Sequence, residues 1–214
     1  MINILVAFDN KDAKLGNYFG DCKNQFLGVV KENYTPTNYK LKEIPSIYCN
    51  NVYIENLISQ IQPNPFIFIA YSHGNEKALY CDGNYYVKCD VNTHYFANSI
   101  FYTSACSAGK GLGEELISKG CLAFIGYITD TRCDFIEDSK KQTSRNCDNA
   151  GVITFLSEDI TIFDAYNKMK NYYKQEIDKY YSFNDPLFAG TLVEAMEALI
   201  FLGNRDIKKE NLSF

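Results

Sequence analysis

The 214-residue sequence has little to offer a metal: its only histidines are His73 and His94, and none of its eight cysteines falls in a C-x2-4-C pair. A tetrahedral structural zinc site draws on such pairs, so no metal and no cofactor is expected. A long basic run is missing as well. With a net charge of -5 and a pI near 5.1, the chain lacks the phosphate-neutralising surface that drives nucleic-acid binding, and nucleic acid is not expected as a partner. No apolar run approaches the roughly 18 residues of a membrane helix, and residues 1–10 (MINILVAFDN) carry too short an apolar segment and no basic flank for an export signal. The expectation is a cytoplasmic protein without a membrane partner, whose eight cysteines stay free in reducing surroundings. Internal repeats, low-complexity tracts and a second-domain linker are absent too. A hydrophobic fraction of 46% supports one sizeable core, so residues 1–214 read as a single domain. Gly109-Lys110-Gly111-Leu112-Gly113 is not a phosphate loop, because Ser104 occupies the place of the first glycine and Gly111 that of the required Ser or Thr.

What is present is a series of buried-strand patterns alternating with helical ones. Ile2 to Phe8 is a continuous apolar run that stops at Asp9-Asn10. A polar stretch with Gly16 and Gly20 follows, then a short strand at Phe26 to Val30 and a loop marked by Pro36 and Pro45. Ile54, Leu57, Ile58 and Ile61 recur at helical spacing, with Asn50 or Asn51 as cap and Pro63 as stop. Pro65 to Tyr71 and Ile100 to Ser104 are apolar on both faces, as strands covered by helices on both sides are. Between them, residues 78–89 read as a hairpin turning at Asp82-Gly83, followed by a short helix at 91–97. Residues 111–119 form a helix stopped by Gly120, and Cys121 to Ile128 is a fourth buried strand. The polar stretch 129–151 reads as one long loop, with a further strand at Val152 to Leu156. Helices at 162–181 and 187–202 complete the chain, the second capped by Asp185-Pro186, although its end at Ile200 to Leu202 suits a strand equally. The pattern is an α/β fold with a mainly parallel sheet.

Two strand ends carry chemistry. Phe66 to Tyr71 runs into Ser72-His73-Gly74, and Ser99 to Thr103 runs into Ser104-Ala105-Cys106 before the glycine-bearing helix. Ligands of open α/β sheets sit beyond the carboxyl ends of strands. If the two strands are neighbours, His73 and Cys106 meet there. A nearby imidazole and a following helix N-terminus both favour the thiolate, and the Gly74 and Cys106 backbone amides suit an oxyanion. No third residue to orient His73 is evident, and a backbone carbonyl could take that place. His94 reads as a surface histidine.

His-Gly, then Ala-Cys 33 positions later, each after a hydrophobic strand, resembles the signatures of the caspase-like (clan CD) cysteine peptidases, and most of all their bacterial caspase-like and CHAT-type members. The resemblance implies a three-layer α-β-α caspase–haemoglobinase fold, with Cys106 as nucleophile and His73 as general base and acid in peptide-bond cleavage. Ser104 stands where caspases carry glutamine and metacaspases aspartate. The family's pocket for the residue before the cut maps onto Asp9, Ser104 and Thr129-Asp130, an acidic lining that suits Lys or Arg by charge complementarity, with Arg132 close by as an opposing charge. The 129–151 stretch matches the linker between large and small segments, and offers Lys140, Lys141 and Arg145 as self-cleavage sites. The expected partners are a protein or peptide substrate and an activating protein. The competing readings are a catalytically silent caspase-like scaffold that binds a regulatory partner through its long loop, and a small thiol hydrolase.

Overall fold

The computed structural model describes residues 1–33 and 38–213. The loop marker Pro36 lies outside them. Four apolar runs become the parallel strands β1 (Ile2–Phe8), β3 (Phe66–Tyr71), β7 (Ser99–Thr103) and β8 (Ala123–Tyr127), and the partly exposed polar segment Tyr39–Pro45, expected to be loop, adds a fifth, β2, because it pairs along β1. With β9 (Leu199–Gly203), antiparallel at the edge, they form one sheet in the order β2-β1-β3-β7-β8-β9. β9 confirms the strand alternative at Ile200 to Leu202. The hairpin β5 (Ala78–Cys81) and β6 (Asn84–Lys88) pairs with the two-residue strand β4 (His73–Gly74) in a small second sheet. Its turn is at Asp82 and Gly83, both with positive φ (50° and 74°), the backbone that an Asp-Gly pair accepts at low cost.

Helices cover both faces, which is why β3, β7 and β8 are apolar on both sides and wholly buried. One layer holds α1 (Gly16–Asn33), α4 (Asp138–Ser157), α5 (Ile162–Ser182) and α6 (Pro186–Ala198). The other holds α2 (Asn51–Ser59), α3 (Gly111–Ser118) and the hairpin. Of the two asparagines that could cap α2, Asn50 does so, accepting from the Tyr53 N–H at 2.9 Å. Asp185 caps α6 with proline at its first turn. The short helix expected at 91–97 is a 3-10 turn at Thr93–Phe96.

Three further expectations are corrected. Phe26 to Val30 is not a strand but part of α1, whose buried residues Tyr18, Phe19, Cys22, Phe26, Leu27 and Val30 form one helical stripe. Glycines 16 and 20 conceal that stripe in the sequence. The loop expected at 129–151 extends only to Glu137, because α4 begins at Asp138. Val152 to Leu156 is the end of α4 and not a strand. The pattern misleads because the core-facing side of α4 is polar or small as far as Gly151: Thr143, Ser144, Cys147, Asn149 and Gly151 are all buried.

That polar side is satisfied by partners distant in sequence. Asn149 accepts from the Tyr71 hydroxyl at 2.6 Å and donates to the Cys22 carbonyl (2.9 Å) and the Gln25 side chain (2.8 Å), so it ties α4 to α1 and β3. Tyr102 donates to the Asp148 carbonyl at 2.6 Å. Asn149→Ala would leave buried groups unpaired, each costing about 1–3 kcal/mol. We expect a loss of ~2–3 kcal/mol in urea unfolding, and an unchanged midpoint would show that water replaces the amide.

Candidate active site

Register brings the two strand ends together. β3 and β7 are hydrogen-bonded neighbours, with Ala70 opposite Thr103, and the Ala70 carbonyl accepts both the Ser104 N–H (3.2 Å) and the Thr103 hydroxyl (3.0 Å). The chain then diverges into β4 on one side and the Cys106 turn on the other. Gly74 lies against that turn. A Cβ on it would stand 2.8 Å from the Ala105 Cβ and 3.2 Å from the Cys106 carbonyl oxygen, so only glycine lets the two segments approach this closely. The Asn75 N–H closes the β4–β5 hairpin on the Ala78 carbonyl, and Gly74 pairs with Leu79. Alternation along an antiparallel ladder makes that a non-bonded pair, which leaves the Gly74 N–H outside the ladder.

His73 is exposed, and its Nε2 lies 3.1 Å from the Asp12 carboxylate, with its ring edge-on to Phe19. With Nε2–H donated to Asp12, Nδ1 is the nitrogen with a free lone pair. Asp12 is itself held by the Leu15 and Lys14 N–H groups (2.6 and 2.9 Å). The Leu15 bond leads the causes that lower its pKa, partly offset by burial and aided by Lys14 and His73. Asp12 is the orienting group that sequence reading did not find. It lies 61 residues from His73, in a polar stretch with no pattern of its own.

Cys106 is partly buried, and its sulfur accepts the Thr131 N–H at 3.4 Å and donates to the Thr131 carbonyl at 3.8 Å. No hydrogen bond among the described residues joins it to His73. Ser107, directly after it, has φ +57°, a conformation unfavourable for a residue with a Cβ. It is held by its N–H on the Thr129 carbonyl (3.1 Å) and its hydroxyl on Asp130 (3.0 Å).

A cleft of about 620 Å³ opens beside His73, lined by Asp12, Lys14, Asp130, Thr131, Arg132, Asp134 and, from α6, Thr191 and Glu194. Four carboxylates face two cations there. Arg132, the opposing charge, is paired with Asp134 at 3.1 Å. Of the residues expected to line the substrate pocket, Asp130 lies in the cleft, whereas Asp9 and Ser104 are not part of its wall. Asp9 is 2% exposed and takes the Ser46 hydroxyl (2.8 Å) and the Asp82 N–H (3.2 Å), so it braces the β1 end against the hairpin turn. Ser104 is buried, and its hydroxyl has no hydrogen-bond partner among the described residues. Lys140, Lys141 and Arg145 stand on α4 in ion pairs with Asp185, Asp138 and Asp21. A peptidase reads an extended chain, so cleavage there would require α4 to unwind. Contributions from α6 and Thr131 left no signal in the sequence, since only tertiary packing sets them at the cleft.

The chain has the caspase–haemoglobinase fold. Among solved structures, the Arg-specific cysteine proteinase gingipain R superposes with a TM-score of 0.63 at 11% identity, covering 96% of this chain and 47% of that one. This chain therefore spans about half of that relative. No family model matches the sequence, and no curated protein does either. No helix of the described residues is long and apolar enough to cross a membrane.

Behind the cleft, Asp148 of α4 accepts hydroxyls from Tyr18 (2.8 Å), Tyr127 (2.7 Å) and Tyr173 (3.3 Å). Burial pushes its pKa up to about 6, against the pull of those three donors. An acid raised on folding is neutral in both states at low pH, and its penalty grows as pH rises past the unfolded value of about 3.9 until it is complete above the folded one. At about two pK units the penalty is ~3 kcal/mol. Asp148→Asn should raise the thermal midpoint at pH 7.5 and leave it unchanged near pH 4. A midpoint that falls at both pH values would mean that the carboxylate stabilises the fold.

Proposed function

We propose that this protein is a cysteine endopeptidase, caspase-like and of the CHAT type, that cleaves peptide chains with Cys106 and His73. The observation that carries the reading is the β3–β7 register, which sets His73 and Cys106 at adjacent strand ends with Gly74 packed on the Cys106 turn. The Cys106 thiolate attacks the scissile carbonyl, and His73 holds the thiol proton on Nδ1 while Asp12 steadies the imidazolium. The tetrahedral oxyanion forms between the Gly74 and Cys106 N–H groups. Collapse breaks the C–N bond as His73 delivers its proton to the leaving amine. Water, activated by the same histidine, then hydrolyses the thioester.

Four carboxylates around the cleft, against Arg132 and Lys14, favour Lys or Arg before the cut. The relative of the same fold is described as Arg-specific, which agrees with that preference. Asp130 is the residue of the expected pocket wall that faces the cleft. Eight free cysteines suit a reducing cytoplasm.

Two measurements test this. A peptidyl acyloxymethyl ketone should label Cys106 alone among the eight thiols, with labelling at least about 100-fold slower in His73→Ala. A thiol no more reactive than the other seven would instead identify a silent scaffold that binds a partner. In a fluorogenic panel, kcat/KM for Arg and Lys peptides should exceed that for Asp peptides by at least about 100-fold, and equal rates would end the basic-residue reading.

A further inference from the structure

The cleft wall formed by Thr131, Arg132, Cys133, Thr191 and Ala195 has a second side. A cavity of about 10 Å³ lies behind it, bounded by the same five residues and, at its inner end, by Tyr18, Asp148 and Tyr173. Space of that size holds about one water molecule. Resting on the basic-substrate reading above, we propose that Asp148 is the floor of the specificity pocket. It neutralises the guanidinium or ammonium group of the substrate residue before the cut across this shared wall, through a single water in the cavity.

The other acids of the cleft are engaged. Asp12 binds His73, Asp130 holds Ser107 and Asp134 pairs with Arg132, while Glu194 is exposed. Asp148 has three phenol donors and, among the described residues, no cation bonded to it. The hydroxyls hold a carboxylate in place without cancelling its charge. Its partly buried setting weakens screening, so a cation against the shared wall gains more from Asp148 than from an exposed acid at equal distance. The surrounding titratable groups are Tyr18 and Cys22 of α1, Tyr71 of β3, Tyr102 of β7, Tyr127 of β8, Cys133 of the loop, Cys147 of α4 and Tyr173 of α5. Burial raises all of them, so they stay neutral around pH 7. Arg132 stands at the mouth with its Nε on Asp134.

The test is calorimetric titration with agmatine, a guanidinium probe without a peptide bond. Binding at pH 7.5 should weaken at least about tenfold in Asp148→Asn, with circular dichroism reporting whether that variant is folded. A second series needs no change at Asp148: in His73→Gln, which removes the histidine from the cleft wall, affinity should fall about tenfold between pH 7.5 and pH 5. Equal binding by folded Asp148→Asn, no agmatine binding at all, or an affinity flat from pH 7.5 to 5 overturns the proposal. Asp148-dependent agmatine binding in a protein that cleaves no peptide would overturn the peptidase reading and leave the cation pocket standing.

Discussion

The hydrogen-bonded pairing of β3 with β7 is the constraint on which the site depends. Neither His73 nor Cys106 has a local reason to approach the other, since they lie on separate segments 33 residues apart. Parallel pairing with Ala70 opposite Thr103 fixes where both strands end, and a slip of one residue would turn every side chain of one strand to the opposite face. Ser104 and Thr103 add two hydrogen bonds to the Ala70 carbonyl at that end. Gly74 then allows the diverging segments to stay in contact beyond the sheet.

Around that junction the chain divides its polar groups between bracing and the cleft. Asp9 and Asp12 lie three residues apart after the same strand, yet Asp9 is turned inward to the hairpin and Ser46, while Asp12 reaches His73. Composition cannot distinguish them. Asp130 belongs to both groups, lining the cleft while fixing the strained Ser107 directly after Cys106. The arrangement is economical but leaves little freedom, since shifting the 129–131 segment would also shift the Thr131 N–H from the Cys106 sulfur.

The layer behind the sheet shows a different use of polarity. Tyr18, Tyr71, Tyr102, Tyr127 and Tyr173 converge on Asp148 and Asn149, so a helix with a polar inner side is held by hydroxyls projecting from strands and helices. An apolar stripe would do the same with less risk, because each buried polar group depends on its partner. Fixed hydrogen bonds give α4 a defined register against α1 and the sheet. They also keep a carboxylate close behind the cleft wall.

Where side-chain periodicity is carried by apolar residues, the sequence alone determined the result. The four buried strands β1, β3, β7 and β8, the hairpin at Asp82-Gly83, the helices α2, α3 and α5, and the strand-end positions of His73 and Cys106 follow from local patterns, because burial on both faces requires apolar residues at every strand position. Tertiary structure decided the rest. α1 and α4 were hidden because glycines interrupt one and polar residues line the buried side of the other, and that polar side is stable only with partners as distant as Tyr71 and Cys22. Asp12, Thr131 and the α6 residues of the cleft reach the site through folding contacts that no spacing along the chain encodes. Sequence therefore located the two strand ends, while the orienting acid and the walls around them came from packing.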